Sequence, residues 1–277
     1  MTTRRTGAVL AELVVALMIA GAAAVIGISL LVTAERRTRA DATADRTTQA
    51  ARDVARILTA EIEAALPESV AVRGDTALDL QSHIAASVAC VVSGSVVVLP
   101  GAATSAGLPF TYVRQLPETG DLLLAWDSTN AGYWFAAAVD SVSPRPNGGG
   151  CATTSGYRTL ADSLAPIATT RLRLNRTLPA TVSAGAPVRL YRGARWFLHR
   201  SSDKTWALGY RRCANASCSS AQPVAGPLAS FADTGLSFAV LSPGVITISV
   251  KPVSAPVRSK FSVAIRSAPD GPPNAPP

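Results

Sequence analysis

The sequence predicts an α+β fold in which one long N-terminal helix, membrane-spanning in its first half, packs on an antiparallel β-rich globular domain. The helix is predicted to begin at Ala8, with residues 8–34 as its transmembrane and assembly part, because residues 13–34 carry no charge and are enough for a helix to cross a bilayer. An apolar stripe at helical spacing then runs as far as Leu66, and no proline occurs before Pro67. After Pro67 the helical periodicity ends, and short β-rich runs separated by Gly, Pro, Ser and Asn take over.

The membrane segment begins with an acid in an unfavourable place. Glu12 lies just inside the apolar run, where an ionisable group costs about 2.5–3.5 kcal/mol at mid-helix on insertion scales. Such a group is a functional candidate by default. Arg4 and Arg5 precede it, so the N-terminus is predicted to stay cytoplasmic and everything after Val32 to lie outside.

Three other interpretations of this segment remain open. A secretory signal peptide would use the small residues 22–24 as its cleavage site, but its apolar core is usually shorter and uncharged. A twin-arginine signal rests on Arg4 and Arg5 alone. A plain single-pass anchor explains the length but gives Glu12 no partner.

Residues 35–66 are predicted to be the amphipathic second half of the helix, docked on the globular domain. The apolar stripe contains Ala51, Val54, Ala55, Leu58, Ile62, Ala65 and Leu66. The remaining faces carry charged residues that suit water: Arg46, Arg52, Asp53, Arg56, Glu61 and Glu63. An exposed coiled-coil stalk is the alternative, which the alanine-rich stripe and its fading before Ala51 disfavour.

Residues 67–267 are predicted to form one β-rich extracytoplasmic domain. The expected strands are 87–92, 95–99, 121–126, 133–139, 170–174, 187–191, 196–200, 206–211, 236–241, 245–251 and 260–266. A tight hairpin at Ser93-Gly94 joins the first two. Residues 144–150 are predicted to form a loop. The tail 268–277, which contains five prolines, is predicted to be disordered.

Four cysteines follow the membrane segment: Cys90, Cys151, Cys213 and Cys218. An even number outside the membrane favours disulfides in an oxidising compartment. We pair Cys213 with Cys218 across a short turn and leave Cys90 for Cys151, although sequence alone allows three connectivities. A zinc site is the weaker alternative, since neither His83 nor His199 lies near a cysteine in sequence.

No catalytic or cofactor motif is found, so the chain is predicted not to be an enzyme and to carry no metal or other cofactor. The nucleophile elbow, the phosphate-binding glycine loop and the His-Glu-x-x-His pattern are missing from the sequence. The two histidines are more plausibly structural or exposed than catalytic.

The formal charge of +8 is concentrated in one stretch. Residues 171–212 hold ten basic side chains against the single acid Asp203, with five aromatic residues interleaved. This stretch could present a surface to an anionic partner, formed by Arg189, Arg192, Arg195, Arg200, Arg211 and Arg212. The alternative is that the arginines lie on the solvent-exposed face of the strands, while the aromatic residues fill the buried face.

The N-terminal motif resembles the processing motif of type IV pilins and type II secretion pseudopilins. The matching residues are 7–21, with Gly7, Ala8 and Glu12 at the positions that carry the motif. The resemblance implies that residues 1–7 are a leader, that a prepilin peptidase cuts after Gly7, and that Ala8 becomes the methylated mature N-terminus. It also implies that Glu12 neutralises the terminal amine of a neighbouring subunit, so that each buried charge is compensated.

The later sequence is similar to the J-type minor pseudopilin and related minor pilins, through residues 186–192, 195–200, 223–231 and 236–238. The resemblance implies a pilin-like fold and a non-enzymatic filament subunit of a bacterial inner membrane, single-pass, with its globular domain periplasmic or in an extracellular filament. Its partners would be other pilins, the prepilin peptidase, the assembly platform and membrane lipid. The two alternatives are an anchored binding module that does not polymerise and a minor pilin that binds nucleic acid.

Overall fold

A helix and a β-rich domain make up the described part of the chain. The structure is a computed structural model that describes residues 6–100, 112–127, 133–145, 169–214, 217–242, 244–253 and 255–265. Its single long helix and antiparallel sheets confirm the predicted α+β class. The predicted tail 268–277, Cys151 and residues 146–150 of the predicted loop lie outside the described residues.

Helix α1 spans Thr6–Ala64, and a short 3-10 turn, Pro67–Ser69, follows it. The predicted helix began at Ala8 and ended at Leu66. Proline lacks the amide hydrogen that a helix interior needs, which explains the end near Pro67. By internal contacts the chain divides into two compact units, residues 1–49 and 50–277, so the boundary falls inside α1.

Fifteen strands lie in the described residues of the second unit. They are β1 Ala71–Arg73, β2 Ala77–Val88, β3 Val91–Ser93, β4 Val96–Leu99, β5 Tyr112–Val113, β6 Leu122–Asp127, β7 Tyr133–Arg145, β8 Thr169–Leu174, β9 Pro187–Arg200, β10 Trp206–Ala214, β11 Ser217–Cys218, β12 Gln222–Leu228, β13 Leu236–Ser242, β14 Val245–Val250 and β15 Ser259–Ala264. Twelve of them form one antiparallel sheet, in which the main order is β1-β2-β9-β6-β7-β8-β4-β3. The strands β13, β14 and β15 form a separate antiparallel sheet.

Strand β9 holds the large sheet together. One edge pairs with β2 along almost the whole strand, from Pro187 to Phe197. The other edge pairs first with β6, through residues 188–191, and then with β10, through residues 194–200. The change of partner therefore falls at Arg192 and Gly193, in the middle of the strand.

Two apolar cores lie along the same face of β9. Near one end, Val188 and Leu190 join a core with residues of β2, β4, β6, β7 and β8. Near the other end, Ala194, Trp196 and Leu198 join a core with β2, β10, the small sheet and the stripe of α1. The buried stripe residues are Val54, Leu58, Ile62 and Ala65. The predicted docking of the helix on the sheet is therefore confirmed for residues 50–64, whereas it is wrong for residues 35–49, whose side chains are almost all exposed.

Strand β12 lies at an edge of the large sheet and was not predicted. Among the described strands it pairs only with β10, and its other side is largely exposed. It carries Pro223 and Pro227, neither of which can donate a ladder hydrogen bond. Prolines normally argue against a strand, which is why the sequence pattern missed this one.

Several strand predictions are confirmed and others need correction. The hairpin of β3 and β4 exists, but Ser93 pairs with Val96, so Gly94 and Ser95 form the turn. Gly94 has a φ of +59°, a conformation that glycine adopts without strain. The predicted separation of residues 187–191 from 196–200 is wrong, because β9 is continuous. Strand β7 runs to Arg145, so the predicted loop from residue 144 begins too early.

Candidate functional site

The predicted processing and assembly residues lie at the start of α1. The helix begins at Thr6, so Gly7 and Ala8 are in its first turn, and Glu12 is exposed. Large apolar side chains that follow it are exposed as well, including Leu17 at 64% and Leu31 at 71%. Within the described residues, α1 alone is long and apolar enough to cross a membrane. An acidic residue therefore lies at the start of a run of exposed apolar side chains.

The polar side chains inside this apolar segment satisfy their own hydrogen bonds. The Ser29 hydroxyl donates to the carbonyl of Ile26 at 2.8 Å, and the Thr33 hydroxyl donates to the carbonyl of Ser29 at 2.8 Å. Such bonds to the preceding turn let hydroxyls enter hydrocarbon without losing a partner. Glu12 cannot use this route, because an ionised carboxylate only accepts hydrogen bonds and cannot donate to a carbonyl of the preceding turn.

One carboxylate of α1 is buried against the sheet. Glu61 is 2% exposed, accepts a hydrogen bond from the Ser82 hydroxyl on β2 and forms an ion pair with Arg114. The prediction that Glu61 faces water is therefore wrong. The signal was present in the spacing, since Glu61 is three residues after Leu58 and next to Ile62, both on the buried stripe.

Arg192 lies in the middle of a buried polar network between the two cores. Its Nε and Nη2 each donate to the Asp121 carboxylate at 2.8 Å, and the Gln115 and Leu116 oxygens accept its other bonds. The backbone amide of Glu118 also donates to Asp121, at 2.7 Å. Burial raises the pKa of the Asp121 carboxyl, while the hydrogen bonds from Arg192 oppose that change. The structure thus places Arg192 inside the domain, away from any surface for an anionic partner.

The other predicted arginines are divided between the two faces of the sheet. Arg212 points to the same side as Arg192, where it forms an ion pair with Glu118 and lies 3.5 Å from Asp121. Arg200, at the end of β9, lies 5.8 Å from the ring centre of Trp206. Three arginines share the opposite face of the sheet: Arg189, Arg195 and Arg211. Sequence predicted one basic surface of six arginines, and three of them occupy a common face.

One disulfide joins directly paired residues of adjacent strands. Cys213 on β10 and Cys218 on β11 are register partners, and their sulfurs are bonded. Cys90 is also disulfide-bonded. Its predicted partner, Cys151, lies outside the described residues, so the Cys90–Cys151 pairing remains a prediction.

The two histidines lie among aromatic rings. His83 is 5.3 Å from the Tyr191 ring and 6.0 Å from the Tyr112 ring, centre to centre, and His199 is 5.9 Å from Phe197. Burial and, to a lesser degree, the charge of Arg189 lower the pKa of His83. Across the described ranges, no group of three His, Cys, Asp or Glu residues lies close enough to hold a metal ion.

The described residues thus include an exposed apolar helix segment with Glu12 at its start and, in the β-rich unit, a sheet face that carries arginines and aromatic rings. Comparison of the chain with models of protein families, with curated proteins and with solved structures gives no significant match.

Proposed function

We propose that this chain is a non-enzymatic minor subunit of a type IV filament, either a type II secretion pseudopilus or a type IV pilus. The observation that carries the proposal is Glu12, an exposed carboxylate at the start of the apolar part of α1. A carboxylate in hydrocarbon needs a cation to offset its desolvation. A neighbouring copy whose N-terminus has just been freed by cleavage after Gly7 supplies one, as an ammonium on Ala8.

The second half of the helix supports the same proposal. Residues 50–64 pack by their buried stripe on the globular domain, while the preceding apolar residues stay exposed. A helix that is docked over residues 50–64 and has exposed apolar side chains nearer its N-terminus suits a subunit that anchors in the inner membrane and then packs against other helices. Leucine, isoleucine and small residues on the uncovered half provide that packing surface.

The proposal is tested by replacing Glu12 with alanine and measuring the chain in the sheared filament fraction and in the membrane fraction. We expect Glu12→Ala to remain in the membrane and to be lost from filaments. The matched control is Glu35→Ala, which removes an exposed acid of the same helix that pairs only with its neighbour Arg39. Normal incorporation of Glu12→Ala would refute the proposal and favour an anchored binding module that does not polymerise.

A further inference from the structure

One face of the large sheet is turned away from both cores and from α1. Alternate residues of β9 point to opposite sides, and Leu190, Ala194 and Trp196 point into the cores. The side chains between them define what we call the outer face. On β9 it comprises Arg189, Tyr191, Gly193, Arg195, Phe197 and His199.

A first cluster on the outer face combines an arginine with two tryptophans. Trp126 on β6 and Trp134 on β7 are register partners, and their rings meet edge to face at 5.2 Å between centres. The Arg189 guanidinium lies 4.6 Å from the Trp134 ring centre. Beside them, His83 stacks 6.0 Å from Tyr112, whose ring is largely exposed. Flat rings held by a fixed cation form a rigid surface for stacking.

A second cluster repeats this chemistry further along β9. The Arg211 guanidinium lies 5.0 Å from the Phe197 ring centre, and Phe197 meets His199 at 5.9 Å. Arg195 is register partner of both Arg211 and Asp79 and donates to the Asp79 carboxylate at 2.7 Å. From Arg189 to Phe197 the distance along the strand is about 26 Å, at ~3.3 Å per residue.

A recess of about 310 Å³ lies between the two clusters, and Gly193 is one of its lining residues. Its lining includes Gln81, Arg195 and the Cys213–Cys218 disulfide. The buried Oε1 atom of Gln81 has no hydrogen-bond partner in the described structure. An amide that can both donate and accept at the wall of a recess suits a flat polar ring with donors and acceptors on its edge.

The charge of this face is positive. On β2 and β9, residues 77–88 and 187–200, the single acid is Asp79, which Arg195 and Arg73 both engage. The same positive field contributes to the low pKa of His83. Arg189 is exposed, and within the described residues its guanidinium faces a ring and no carboxylate.

We propose that the outer face binds single-stranded nucleic acid. Arg189 and Arg211 contact phosphates, Trp134 and Phe197 stack with bases, and one base enters the recess beside Gln81. Cations interleaved with half-buried rings at a sheet surface are the combination that single strands require, since the backbone needs charge and unpaired bases need flat apolar surfaces. A lipid headgroup or an acidic polysaccharide uses the arginines but leaves the rings and the recess without a role.

The test measures binding of a short fluorescein-labelled oligothymidylate to the full chain in detergent micelles, between ~50 and ~200 mM salt. We expect the double variant Arg189→Gln, Arg211→Gln to weaken binding about tenfold or more and to reduce the salt slope by about 1.4, for two lost phosphate contacts. Trp134→Ala should weaken binding about fivefold or more and leave the salt slope unchanged, since stacking is not ionic.

The matched control is the double variant Arg52→Gln, Arg56→Gln, which removes the same charge from exposed positions of α1. The affinity of this control for the oligothymidylate should stay within about twofold of that of the unchanged protein, because the helix packs on the other face of the sheet. Equal weakening by both double variants, or no binding at the lowest salt, would overturn the proposal. Competition experiments offer a second way to overturn it. The proposal fails if heparin or phosphatidylglycerol vesicles displace the labelled strand as strongly as unlabelled oligothymidylate does, and if Trp134→Ala leaves that displacement unchanged. Near-UV circular dichroism of each variant confirms that its fold is intact.

Discussion

At the scale of single residues, the Glu61 carboxylate sets how α1 lies on the sheet. Its partners Ser82 and Arg114 come from separate parts of the domain, so the helix cannot slide or rotate without separating them. A buried charge that loses its partner costs more than the pair contributes, because it keeps its desolvation penalty. The ion pair therefore fixes the register of the helix more than it adds stability.

Arg114→Met should lower the free energy of unfolding by about 1–3 kcal/mol, because Glu61 would stay buried with only Ser82 as a partner. Combining it with Glu61→Leu should restore much of that loss, since an apolar pair replaces the ions. Denaturant unfolding followed by tryptophan fluorescence measures both. Arg56→Met, at an exposed position of the same helix, should stay within about 0.5 kcal/mol. A double variant no more stable than the single one would contradict this account.

The pKa of His83 should rise in the variant Arg189→Gln. Burial is the larger cause of the low pKa and remains, so the recovery towards the ordinary value of 6.5 is partial. A folded-state pKa below the unfolded one means that His83 supports folding above about pH 6.5, and that this support is lost as pH falls towards the folded pKa. Proton NMR titration of the His83 ring measures the change, and Arg200→Gln should leave it unaltered. No movement of the His83 signal in Arg189→Gln would exclude the electrostatic coupling.

At the scale of elements, the docking of α1 depends on its stripe. Leu58 is fully buried in the core that joins the helix to both sheets. Leu58→Ala should destabilise the domain by about 2–5 kcal/mol, through lost burial and the cavity left behind. Arg56→Ala on the exposed side should stay within about 0.5 kcal/mol. Thermal unfolding measures both, and equal effects would mean that the stripe is not the docking surface.

The periodic elements were predictable, and the irregular ones were not. The helix and the β3–β4 hairpin follow from spacing and turn chemistry alone. Strand β9 was predicted as two strands, 187–191 and 196–200, whereas in the structure it continues through Gly193, which allows close packing. A Cβ at Gly193 would lie 2.1 Å from the Cys213 carbonyl oxygen. Contacts of this kind depend on residues far apart in sequence, so no local pattern reveals them.

The same limit applies to the candidate site. The place of Glu61 on the stripe could have been predicted from its distance to Leu58, and the charge count did identify the basic stretch. The sequence could not predict which arginines would be buried, because the partner of Arg192 is Asp121, 71 residues away. Side chains alternate along β9, so Arg189 and Arg192 point to opposite sides of the sheet. This alternation can be applied to both residues only once the strand is known to be continuous.

At the scale of the whole molecule, the proposed maturation has a direct chemical consequence. Co-expression with a prepilin peptidase should remove residues 1–7 and leave Ala8 at the N-terminus, with one methyl group if methylation occurs. Intact-mass spectrometry of the purified chain measures this. Retention of residues 1–7, or loss of the entire apolar segment as from a secretory signal, would contradict the filament proposal. A catalytically inactive peptidase provides the control.

The prolines of β12 limit how this domain can associate with its copies. An unpaired edge with free amides is a template on which a second sheet can grow, and ribbons or aggregates result. Pro223 and Pro227 leave this edge strand with two fewer backbone amides. Sheet-to-sheet pairing along this edge is therefore disfavoured, and in the proposed filament the packing between copies is left to the helices.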